Sequence, residues 1–64
     1  MDFFEKAVRE VLSGDGCKFI KRGLGDYDVW ESVQTGKYFA VAHIIKSRRH
    51  ANTVLRIAGI AKEL

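Results

Sequence analysis

Two basic clusters and a tyrosine bracketed by glycine and aspartate are the parts of this chain whose residue types could do chemistry. Lys21 and Arg22 run directly into "GLGDYDVW", Gly23 to Trp30, and Lys46, Arg48 and Arg49 lead into His50. Cationic side chains suit phosphates, and if the two clusters meet in space they form a phosphate-binding edge. Gly23 and Gly25 serve first as turn residues, where positive φ is free of steric cost, and second as places where a phosphate could approach the backbone. The phenol of Tyr27 can donate a hydrogen bond to a phosphate or stack on a base. The competing reading of Lys21, Arg22, Lys46, Arg48 and Arg49 is a solvated basic rim.

His43 and His50 are the two histidines. His43 lies in an apolar run and reads as a partly buried, hydrogen-bonded side chain rather than a catalyst. His50 falls in the first turn of a helix, where the dipole disfavours its protonated form, yet its place beside Arg48 and Arg49 could turn it toward phosphates. Asp28 could orient an acid or base, but adjacent strand residues point to opposite faces, which argues against a pair with Tyr27. No His, Asp and Glu grouping has metal-ligand spacing, no Ser, His and Asp set suggests a hydrolase triad, and neither metal nor cofactor is expected.

These residues must be positioned by 64 residues, enough for one domain with a small core. Lys and Arg outnumber Asp and Glu by 11 to 8, a net charge of +3 that favours polyanionic partners. The lone cysteine, Cys17, excludes an internal disulfide, fits a reducing cytosol and reads as a core residue. An acidic start, "MDFFEKAV", and the lack of any apolar stretch near 18 residues give no sign of a secretory leader or a membrane span, so a cytoplasmic location without membrane contact is expected.

From Asp2 to Leu12, Phe3, Phe4, Ala7, Val8, Val11 and Leu12 recur at steps of three and four, the pattern of an amphipathic helix. Asp2 and Glu5 resemble a capping box, Glu5 and Arg9 an i, i+4 pair, and Gly14 in "SGDG" a left-handed stop. Three runs rich in β-branched and aromatic residues follow, "CKFIKR", "YDVWES" and "KYFAVAHII", which read as an antiparallel meander with turns shaped by Gly23, Gly25 and Gly36. Ser47 caps a second helix with Ala51, Val54, Leu55 and Ala58 on its apolar face and Gly59 as its stop. The order α-β-β-β-α predicts a two-layer α+β sandwich, a three-stranded antiparallel sheet with both helices on one face. Alternation then places Tyr38, Ala40, Ala42 and Ile44 on one side and Phe39, Val41, His43 and Ile45 on the other, so one apolar face is left for a protein partner or a second copy, a homodimer.

With "GLGDYDVW" on the second strand and "KSRRHANTVLRIAGI" on the last helix, the chain resembles the HicA family of bacterial toxins from about Arg9 to Ile60. The family's pattern of glycine, polar residue, histidine, variable residue, aliphatic and aromatic is matched by Gly25, Asp26, Tyr27, Asp28, Val29 and Trp30. Its closing helix is matched by Asn52, Leu55, Ala58, Gly59 and Ile60. The resemblance implies a fold similar to a double-stranded RNA-binding domain, metal-independent cleavage of messenger RNA, and a HicB-like antitoxin protein that masks the toxin.

The departure falls at Tyr27, which stands where the family carries a histidine taken to be catalytic. Metal-free RNA cleavage needs a group to remove the 2′-hydroxyl proton, and a histidine side chain, ordinarily titrating near about 6.5, suits that task better than a phenol near about 10. Tyr27 therefore has three readings: an inactivating change, a residue with altered chemistry, or an ordinary strand tyrosine. The alternative to a toxin is a non-catalytic RNA-binding module of the same fold.

Overall fold

The computed structural model describes residues 3–64. Its elements follow the order α1 (Glu5–Gly14), β1 (Lys18–Arg22), β2 (Tyr27–Glu31), β3 (Tyr38–Ala42) and α2 (Arg48–Ile57). The strands form one antiparallel sheet in the order β1-β2-β3.

Both helices end in the same way. At the end of α1 the Cys17 N–H donates to the Leu12 carbonyl and the Gly16 N–H to that of Ser13; at the end of α2 the Ile60 and Gly59 N–H groups donate to the carbonyls of Leu55 and Arg56. Such closure requires a left-handed residue just past the helix, supplied by Gly16 (φ +92°) and Gly59 (φ +79°). The stop of α1 is thus the second glycine of "SGDG", since Gly14 remains helical. Each motif also buries its flanking pair, Leu12 with Cys17 and Leu55 with Ile60. Burial pushes the Cys17 thiol up from its ordinary value of 9.0, against the pull of hydrogen bonds from Val33 and Ser32, consistent with a packed rather than reactive cysteine.

The helix starts differ. Ser47 caps α2 by accepting the His50 N–H at 3.1 Å. Phe4, at the start of α1, offers no side-chain cap, and the expected partner Asp2 lies outside the described residues. Instead the Glu5 carboxylate accepts the Ile45 N–H at 3.1 Å while the Phe4 N–H donates to the Ile45 carbonyl at 2.9 Å. Arg9, expected to pair with Glu5, donates to the His43 carbonyl at 3.3 Å. The start of α1 is thereby laced to the chain leaving β3.

That lacing explains why β3 stops at Ala42 although its apolar run continues to Ile45. The ladder ends where β2 begins, with Ala42 opposite Tyr27, and the His43 N–H makes a last bond to the Asp26 carbonyl. Ile45 then turns into the core, fully buried.

Cross-strand neighbours point to the same side, so Asp28, Trp30, Phe39 and Val41 share one face of the sheet. Trp30 and Val41 are buried there with Val8 and Leu12 of α1 and Ala51, Val54 and Leu55 of α2. Both helices lie on this face, and the molecule is the two-layer α+β sandwich that its pattern predicts. Ser32, just past β2, is fully buried; its hydroxyl donates to the Ala58 carbonyl at 2.6 Å and accepts the Thr35 N–H at 3.2 Å, fixing the far end of the sheet to the end of α2. Among the described residues no helix is long and apolar enough to cross a membrane.

Candidate nucleic-acid interface

One end of the sheet gathers most of the candidate residues. There β1 ends at Arg22, β2 begins at Tyr27, β3 leaves at Ala42 toward the start of α2, and α1 begins against Ile45. The two basic clusters approach this end from opposite edges of the sheet, Lys21 and Arg22 on β1 and Lys46, Arg48 and Arg49 on the chain that follows β3. Lys21, Arg22, Lys46, Arg48, Arg49 and His50 are all exposed. Among the described residues, no carboxylate forms an ion pair with any of the five Lys and Arg side chains. Lys46 stands over the Phe3 ring and Arg48 over the Phe4 ring, each at 5.9 Å, so aromatic faces at the start of α1 hold these cations in place.

The first cluster is divided by the sheet. Ile20 is an extra residue in β1, since Phe19 and Lys21 oppose the consecutive residues Trp30 and Val29. This bulge puts Lys21 with Val29 on the open face and Arg22 with Asp28 on the helix side. Without it, strict alternation would send Arg22 to the same face as Lys18, which opposes Glu31 on the open side.

Tyr27 lies on the open face, opposite Ala42 and half-buried. Its ring packs on the loop before it: a Cβ built on Gly23 would fall 2.2 Å from Cε2 of the ring, and one on Gly25 would fall 3.7 Å from Cε1. Neither glycine has positive φ; among the three turn glycines, only Gly36 does. The expectation of left-handed turns at Gly23 and Gly25 is therefore corrected. The loop is long enough to close through ordinary conformations, with the Gly23 N–H bonded to the Tyr27 carbonyl at 2.9 Å, and Gly23 is small so that the phenol can lie over it. Leu24, at the tip, is fully exposed.

A pair that sequence reasoning missed lies on the other face. His43 Nε2 and Asp28 Oδ1 are 2.8 Å apart, with side chains 28% and 15% exposed. His43 is indeed partly buried and hydrogen-bonded. Asp28 and Tyr27 point to opposite faces and do not pair, and the partner of Asp28 comes from the chain leaving the next strand. Asp28 opposes Val41, which places His43 two residues along on the same face, within diagonal reach. A carboxylate only accepts, so the contact puts the proton on Nε2 and leaves Nδ1 as the acceptor. Such an imidazole can take a proton.

The described residues contain no cluster of His, Cys, Asp and Glu able to hold a metal ion, and no pocket. The candidate site is an open surface. No family model, curated protein or solved structure matches the sequence.

Proposed function

We propose that this chain is an RNA-binding domain of the HicA toxin type, its fold similar to that of a double-stranded RNA-binding domain, with messenger RNA lying across the end of the sheet. The observation that carries the reading is the set of exposed cations with no carboxylate partner among the described residues, Arg22, Lys46, Arg48 and Arg49, around the strand end bearing "GLGDYDVW". Phosphates bind to Lys and Arg sequence-independently and with release of counterions. Tyr27, half-exposed at the same strand end but on the opposite face of the sheet from Arg22, supplies a face for an unpaired base. The open side of the sheet, with Tyr38 67% exposed and Ala40 beside it, is where a HicB-like antitoxin would dock.

The test is the affinity for a labelled single-stranded RNA as salt is varied. Arg48→Glu with Arg49→Glu is expected to weaken binding about tenfold or more at low salt and to reduce the slope of log K against log salt by about two. Equal affinity and equal slope in parent and variant would refute RNA binding through this edge.

A further inference from the structure

The Asp28–His43 pair lies outside the set of exposed cations on which the RNA-binding reading rests, yet it has the geometry of an oriented base. We propose that His43 is the general base that cleaves the bound RNA and that Asp28 is its positioning residue, an inference that rests on the RNA-binding reading above. The 2.8 Å contact fixes the imidazole by Nε2 and leaves Nδ1 as the acceptor. The His43 backbone is held on both sides, by Arg9 at its carbonyl and by the Asp26 carbonyl at its N–H. A base has to be positioned before it can be efficient, and this one is tied at ring and backbone alike.

The charges around it favour a phosphate on this face. Arg22 opposes Asp28 on the helix side of the sheet, Arg9 reaches in from α1, and Lys46 and Arg48 stand at the start of α1, whereas the open face has Lys18 and Lys21 from the sheet. The nearby acids are largely engaged: Asp28 holds the imidazole, and Glu5 accepts the Ile45 N–H beside the charge of Arg9. Asp26, in the loop, is exposed.

In the reaction the 2′-hydroxyl proton passes to Nδ1 of His43 as the 2′-oxygen bonds to phosphorus. The bond from phosphorus to the 5′-oxygen breaks, and that oxygen takes a proton from water. The hydroxide left behind is neutralised when the imidazolium returns its proton to solvent. Asp28 stabilises the imidazolium in between. The products are a 2′,3′-cyclic phosphate and a free 5′-hydroxyl, and neither metal nor redox partner is consumed.

Cleavage and binding are measured together on a 5′-labelled single-stranded RNA and on its 2′-O-methyl analogue, with folding of each variant checked by circular dichroism. The parent is expected to cut the RNA and spare the analogue. His43→Ala and His43→Gln should bind RNA as the parent does but lose about 10²–10⁴-fold in rate, with added imidazole restoring part of the rate to His43→Ala. Asp28→Asn should lower kcat without raising KM and gain nothing from imidazole. RNA bound but never cut by the parent, undiminished cutting by a folded His43 variant, or cutting of the 2′-O-methyl analogue would overturn the role of His43 and leave RNA binding standing. A parent that does not bind RNA would overturn both.

Discussion

On β2, Asp28 and Trp30 enter the space beneath the helices, while Tyr27 and Val29 stand on the face that no part of the described chain covers. The first face is governed by packing: Trp30 and Val41 meet five buried helix residues, and a polar pair survives there only at the margin, where Asp28 and His43 satisfy one another. The second is governed by the lack of any covering layer among the described residues. Its apolar and aromatic side chains have no layer above them, and even the half-buried ring of Tyr27 finds its contact in its own loop, on Gly23. The contrast teaches that a motif centred on one strand position divides its chemistry between two environments, so a proton-transfer role assigned to position 27 does not extend to its neighbour at 28.

The strongest way to break this contrast is to test whether the two faces differ in their effect on stability. Leu55→Ala, in the helix layer, should cost about 2–5 kcal/mol in urea unfolding, whereas Tyr38→Ser on the open face should stay within about 0.5 kcal/mol. Comparable losses would mean that the open face is part of the core. A smaller effect is expected at the loop. Gly23→Ala places a methyl inside the Tyr27 ring and should destabilise by about 1–3 kcal/mol, but much less in a Tyr27→Ala background. Additive losses in that cycle would show that Gly23 serves the backbone rather than the phenol.

The smallest effect concerns the seam between α1 and the end of β3. The Ile45 N–H, above all, holds the Glu5 carboxyl below its ordinary value of 4.5; the Glu5 N–H, the Arg9 charge and the Phe4 N–H act in the same direction, and desolvation opposes them. A carboxyl whose folded value is depressed contributes stability present above its unfolded value and lost as pH falls through the folded one. Stability measured from pH 6 downward should therefore begin to fall near about 4.5, and Glu5→Gln should flatten that part of the profile. An unchanged acid limb would mean that the Glu5–Ile45 bond is not kept in solution.

Much of the architecture was legible because it is encoded locally. The steps of three and four in α1, the Ser47 cap, the Gly59 stop and the alternation along β3 each depend on residues a few places apart. The stop of α1 was misplaced by two residues because "SGDG" offers two glycines, and only the geometry of the closing bonds to Leu12 and Ser13 selects Gly16. The candidate interface was legible as a composition, basic residues near a glycine-flanked tyrosine, but its partition between faces was not. Asp28 and His43 are 15 residues apart, and nothing local shows that Val41 opposes Asp28.

By itself the sequence determined the elements, their order and the apolar stripe that each had to bury, because periodicity and capping act within a single turn or strand. The tertiary structure alone decided which chemistry-bearing side chains share a face. The bulge at Ile20 turns Arg22 to the helix side, and the pairing of β2 with β3 sets His43 against Asp28. Strand register depends on the joint packing of sheet and helices, and a shift of one residue would reverse every one of those faces.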